Sequence, residues 1–151
     1  MSDSSGSETT LQVRRLIGAP PERLFSYWTD PEHLVRWWGP AGVVCDSAAI
    51  ELRVGGGYRI ANRFPDGAIL WISGEFEVIA PPHRLVYTWQ LLNHDASARA
   101  GIERVTVTFT ARGSATEVLV VHERIADQAT RAGHEHGWIE CLDGLARVVT
   151  R

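Results

Sequence analysis

Lysine is missing altogether, and all fifteen basic residues are arginines. Without a side-chain amine the chain has no Schiff-base lysine, no lysine general base and no Walker-type phosphate lysine. Cysteine is scarce: Cys45 and Cys141 stand far apart, outside any CxxC spacing, so neither a disulfide framework nor a thiolate metal knot is written here. No apolar run approaches the ~20 residues that cross a bilayer, and nothing at the N-terminus has a basic-then-apolar leader pattern. Basic residues occur singly apart from Arg14-Arg15, against eighteen acids and a formal charge of -3. The chain therefore reads as cytoplasmic, with reduced thiols, no membrane span and no nucleic-acid footprint.

What is present is the composition of one soluble domain, with 151 residues of which 44% are hydrophobic and 22% charged. A chain of this size buries roughly 70% of the surface its unfolded form exposes. It needs no structural metal or cofactor, none is expected, and it has room for a cavity. Residues 1–10 (MSDSSGSETT) offer no hydrophobe beyond the initiator, so they read as a disordered tail before a single domain over residues 11–151.

Leu11 to Ile17 reads as a first strand, stopped by Gly18-Ala19-Pro20-Pro21. A short helix opens on Pro21 with Leu24, Phe25 and Trp28 on one stripe. A second has Asp30 as N-cap, Pro31 in its first turn and Leu34 with Trp37 or Trp38 inward, ending at Gly39-Pro40. From Val43 to His122 the period changes to two. Six strands are expected there: Val43 to Leu52, Gly57 to Phe64, Ala68 to Ile79, Arg84 to Leu92, Ile102 to Ala111 and Thr116 to His122. Beyond Asp127, Trp138, Cys141, Leu142, Leu145, Val148 and Val149 recur at helical spacing. The only large surface left to cover that stripe is one face of the sheet. The expected fold is α+β of the helix-grip kind: a curved antiparallel sheet of about seven strands wrapped around a long C-terminal helix, with two short helices after the first strand.

The ordered strings Ala19-Pro20-Pro21-Glu22-Arg23-Leu24-Phe25, Thr29-Asp30-Pro31-Glu32 and Trp37-Trp38-Gly39-Pro40 resemble the start of the family named after the activator of heat-shock protein 90 ATPase. The resemblance continues through Leu52 to Arg59, Gly74 to Val78, Pro81 to Trp89, Thr116 to His122 and Gly137-Trp138, covering about residues 11–150. It implies membership of the START and birch-pollen-allergen-like superfamily, whose shared property is an apolar cavity between sheet and terminal helix.

Six tryptophans supply flat apolar surface for such a cavity, and they equally supply core packing. The candidate lining residues are Trp37, Trp38, Tyr58, Trp71, Phe76, Trp89, Phe109, His122, Trp138 and Leu142, with Trp138 foremost because it lies on the helix that roofs the space. His122 shares a strand face with Val118 and Val120, which aims its imidazole inward as a donor, an acid-base group or a satisfied core residue. No second catalytic group can be placed beside it from sequence, so catalytic residues are left unassigned. In His134-Glu135-His136 the i, i+2 histidines point to opposite sides of a helix, and His136 with Glu140 makes only two ligands, so no metal is expected. Gly55-Gly56-Gly57 precedes a strand instead of a helix and reads as a bend, not a phosphate loop. No serine or cysteine sits in a nucleophile motif.

The leading expectation is a binding domain that encloses a small hydrophobic molecule, lipid-like, aromatic or polyketide-like, in a stress-response setting. The resemblance carries two alternatives: a polyketide cyclase-like enzyme in the same cavity, or an interaction module with a chaperone partner or a homodimer. Leu85, Tyr87 and Trp89 alternate with Val86 and Thr88, so both faces of that strand carry apolar groups, and a dimer interface is one candidate cover.

Overall fold

The computed structural model describes residues 9–93, 95 and 101–150. Seven strands form one sheet: β1 (Thr9–Ile17), β2 (Val44–Ile50), β3 (Gly57–Arg63), β4 (Ile69–Ala80), β5 (Arg84–Leu92), β6 (Glu103–Arg112) and β7 (Ala115–Ile125). Their order across the sheet is β1-β7-β6-β5-β4-β3-β2, every neighbour antiparallel. Helices α1 (Pro21–Thr29) and α2 (Pro31–Trp37) carry the chain from one sheet edge to the other, and α3 (Gln128–Val149) closes it. This is the α+β helix-grip fold that the residue patterns anticipate.

The period-two pattern decides which side chains enter the core. On β6, Glu103, Val105, Val107 and Phe109 are buried; on β7, Thr116, Val118, Val120 and His122; on β5, Leu85, Tyr87 and Trp89. These side chains share the concave face, because cross-strand neighbours point the same way. Helix α3 lies against that face with Trp138, Cys141, Leu142, Leu145 and Val149 buried.

Asp30 is the N-cap that the sequence reading anticipates, and Asp127 is a second one. Asp30 ends α1 by donating its N–H to Ser26 O (2.9 Å) and opens α2 by accepting from Glu32 N (2.9 Å). Asp127 caps α3, accepting from Thr130 N at 2.8 Å. Gly144 lets α3 meet α2 closely, since a Cβ there would lie 3.0 Å from the Trp37 carbonyl oxygen. Arg131 fixes the start of α3 to β1 by donating to Thr10 O at 2.8 Å, and an ion pair joins Arg15 to Asp143 further along.

Two expectations need correcting. Strand β1 starts at Thr9, inside the segment read as tail; residues 1–8 lie outside the described residues. Thr9 is buried and donates its hydroxyl to Ile125 O at 2.8 Å, a pairing that comes from the far end of the chain and leaves no local trace. For the same reason β7 continues past His122 to Ile125. The triple glycine is the expected bend: Gly55 has φ of +85°, donates to Phe76 O at 2.8 Å and is followed by Gly56, whose oxygen accepts from Phe76 N at 3.0 Å.

Candidate functional site

Much of the aromatic content is packing. Trp28 meets Trp37, Trp138 and Phe109 at ring-centroid distances of 4.8, 6.0 and 5.8 Å, and Tyr58, Phe76 and Tyr87 form a second group within 6.0 Å of one another. Their polar atoms are used internally: Trp28 Nε1 donates to Tyr87 Oη (3.2 Å) and Tyr58 Oη donates to Thr88 O (2.6 Å). Burial pushes both phenols well above their ordinary pKa. The hollow left between these rings, lined by Trp28, Trp38, Tyr58, Phe76 and Tyr87 among others, is about 20 Å³, room for a single water.

A larger space opens beside it, where the first half of α3 stands away from β3, β4 and β5. This cleft of about 350 Å³ is lined by Trp38, Pro40, Val43, Phe64, Leu70, Ile72, Trp89, Leu91 and Trp138, with Asn62 and His134 as its polar members. Asn62 is occupied, its Oδ1 accepting from Trp38 Nε1 at 3.0 Å. From the helix side the lining includes Gly133 and Gly137. They stand one turn apart on the same face, and a Cβ at either would meet nothing within 4 Å. A glycine inside a helix costs about 1 kcal/mol relative to alanine, so two of them hold space open at the expense of helix stability.

One end of the cleft is polar. Glu103 is only 3% exposed, and its Oε1 accepts from His122 Nε2 at 2.6 Å and His134 Nε2 at 3.2 Å. The two imidazoles stack at 4.9 Å, and each meets the Trp89 ring edgewise at 4.8 Å. Behind them Trp138 Nε1 donates to His122 Nδ1 at 3.0 Å. An indole nitrogen is a donor only, so this bond fixes His122 as the neutral tautomer with its proton on Nε2, aimed at Glu103. Burial holds the His122 pKa below its ordinary value, the Glu103 hydrogen bond opposing it. Burial also pushes Glu103 upward, but the hydrogen bonds from His122 and His134 outweigh that and hold its carboxyl below the usual range.

Glu103, His122 and His134 bring ligand atoms within 4.8 Å of one another, the composition of a two-histidine, one-carboxylate metal triad. The tautomer argues against that use. A metal on His122 Nε2 needs the proton on Nδ1, where Trp138 already places an N–H. What the group can do is orient His134: with its Nε2–H directed to the carboxylate, Nδ1 carries the free lone pair, and among the described residues it has no partner. Trp89 is 7% exposed and its Nε1–H is buried, also without a partner among the described residues.

Of the residues singled out from the sequence, Trp38, Trp89 and Trp138 line the cleft, and Tyr58 and Phe76 line the small inner hollow with Trp38 and Trp89. His122 sits fully buried behind the cleft. Four are elsewhere. Trp37 donates to Tyr27 O at 2.9 Å beneath the helices; Phe109 packs under α1 against Phe25 and Trp28, 5.8 Å from each; Leu142 is a core residue of α3. Trp71 faces the other side of the sheet, its ring under the Arg59 guanidinium at 4.5 Å, because its neighbour Ile72 takes the inward position. Glu103 and His134 were not foreseen as site residues. The signal for Glu103 was available: it shares parity with Val105, Val107 and Phe109, which makes it an acid on an apolar face.

A sheet gripping a long terminal helix, with a lined cleft between them, defines a helix-grip domain. The chain belongs to the family of Activator of Hsp90 ATPase homolog 1-like proteins, whose pattern matches residues 18–150. No curated protein matches it. Among solved structures it is similar to protein CV1439 from Chromobacterium violaceum (TM-score 0.79, 26% identity, 93% of this chain and 96% of that one). It also resembles in fold the AHSA1 protein from Silicibacter pomeroyi (TM-score 0.81, 24% identity, 94% and 98%) and CalU16 from Micromonospora echinospora (TM-score 0.68, 22% identity, 90% and 73%). Among the described residues no helix is long and apolar enough to cross a membrane.

Proposed function

We propose that this chain binds a small, mostly apolar molecule in the cleft between α3 and the sheet. The observation that carries the reading is the cleft itself: about 350 Å³, aromatic and aliphatic on its sheet side, kept open on its helix side by two glycines. The helix-grip fold generally takes small hydrophobic ligands, which supports the same use here. Enclosing roughly 300 Å² of apolar ligand surface contributes about 7 kcal/mol before association entropy is subtracted, so micromolar affinity is the ceiling for a purely apolar ligand.

The test is a calorimetric titration with naphthalene of the natural chain and of Gly137→Leu. The new side chain enters open space on a helix that favours leucine over glycine, so the variant folds with its cleft filled. The expected result is binding by the natural chain and at least a tenfold loss in the variant at unchanged circular dichroism. No binding by the natural chain, or equal binding by both, refutes the reading.

The Glu103–His134 pair favours a second reading, a cyclase-like enzyme working in the same cleft. A carboxylate-oriented imidazole with a free Nδ1 is an acid-base group of the kind that removes a proton next to a carbonyl. If it does so, 2-acetylnaphthalene incubated with the protein in D₂O exchanges its methyl protons faster than in buffer, and His134→Gln abolishes the gain. A rate equal to buffer removes this reading.

A further inference from the structure

Among the described residues, the polar end of the cleft leaves two atoms unused, and together they specify a ligand group. Trp89 Nε1–H is a buried donor with no acceptor among the described residues, and Trp89 lines both the inner hollow and the open cleft. His134 lines the cleft too, its side chain 14% exposed. Its Nε2 is committed to Glu103 at 3.2 Å, which leaves Nδ1 as an acceptor. The Trp89 and His134 rings meet at 67°, with centroids 4.8 Å apart, so the two side chains share one corner of the cleft.

We propose that the ligand is held by a single hydroxyl, phenolic or enolic, on an apolar body: its oxygen accepts from Trp89 Nε1–H and its hydrogen is given to His134 Nδ1. The assignment rests on the binding function proposed above and deepens it by naming the head group. A hydroxyl is the smallest group that accepts and donates at once. A carbonyl oxygen would satisfy Trp89 but set its lone pairs against that of His134. A carboxylate would bring a second anion beside buried Glu103, and an ammonium would set its hydrogens against the indole N–H.

Among the described residues, the remaining charged and titratable groups around His134 leave its Nδ1 free. From β6 it meets Glu103, from β7 His122, whose proton is fixed on Nε2 by Trp138. On its own helix Arg131 and Glu135 pair with each other at 2.9 Å.

The test uses three molecules on one ring system: naphthalene, 2-methoxynaphthalene and 2-naphthol, titrated at pH 7.5 into the full chain and into Trp89→Phe and His134→Leu. One hydrogen bond is worth about fivefold in affinity. The ether is expected to bind about fivefold more tightly than naphthalene through Trp89, and naphthol about fivefold more tightly again through His134. Trp89→Phe should erase the first step and His134→Leu the second. Equal affinity for all three overturns the head-group assignment while leaving the cleft as a binding site; failure of all three overturns both. Should either variant not fold, the order of affinities in the natural chain decides alone.

Discussion

Substituting Trp138 by phenylalanine tests the tautomer lock directly. The indole N–H that donates to His122 Nδ1 at 3.0 Å is lost, and a buried acceptor stays without a partner, a cost of about 1–3 kcal/mol. The smaller ring gives up about 40 Å² of apolar burial against Trp28 and Trp38, about 1 kcal/mol more. The total, about 2–4 kcal/mol, corresponds to a fall in Tm of roughly 5–15 °C. The lock also predicts a pH dependence. In the natural chain the His122 pKa is depressed below 6.5, so its contribution to stability is complete above that value and is lost as pH falls, because the unfolded state takes the proton first. Once the facing N–H is gone, imidazolium can form with Nε2–H still on Glu103, and the folded-state pKa moves back towards 6.5. The penalty should therefore be smaller at pH 5.5 than at pH 7.5, by up to about 1.4 kcal/mol per restored pKa unit. Urea unfolding followed by circular dichroism at the two values measures both quantities. A penalty at pH 5.5 equal to or greater than that at pH 7.5 refutes the lock.

Gly74→Ala should cost about 3 kcal/mol or more, because a Cβ there would lie 2.0 Å from the Thr88 carbonyl oxygen and force β4 from β5; a Tm within 2 °C of the natural chain would contradict this reading of the contact. The thiols of Cys45 and Cys141, pushed by burial up to about 11 and about 12, should be inert to a disulfide reagent in buffer and react together in urea, as absorbance of the released thiolate reports. Asp127→Ala removes the cap of α3 and should lower urea stability by about 1 kcal/mol, with no change if Thr130 N finds water as good a partner.

The elements were legible because their periods are strong: Val105 to Phe109 and Val118 to His122 alternate cleanly, and the cap at Asp30 is side-chain chemistry written at a helix start. Parity carried further than the reading took it. Trp71 and Phe76 are an odd number of residues apart on one strand, so both could not face the helix unless a bulge lay between them, and the observed irregularity lies beyond Phe76, between it and Val78. Parity likewise placed Glu103 inward. The meeting of Glu103, His122 and His134 was not legible, since it needs the β6–β7 register, in which Arg104 faces Glu123 and Val105 faces His122, and the rotation of α3 over the sheet. The register follows from the two-residue turn Gly113-Ser114, which sets Arg112 opposite Ala115, but the rotation is set by packing between residues 31 positions apart in the chain, and no local pattern encodes it.

The two glycines of α3 have an evolutionary consequence. Replacing Gly133 and Gly137 with residues that favour helices adds about 1 kcal/mol at each position and meets no steric resistance. A laboratory selection for heat resistance alone would therefore reach these sites early and, with bulky side chains, shut the opening they frame. Thermal robustness and an open cleft compete for the same two positions, so a thermostabilised lineage of this chain should be genotyped there before any loss of ligand uptake is ascribed to the residues on the sheet.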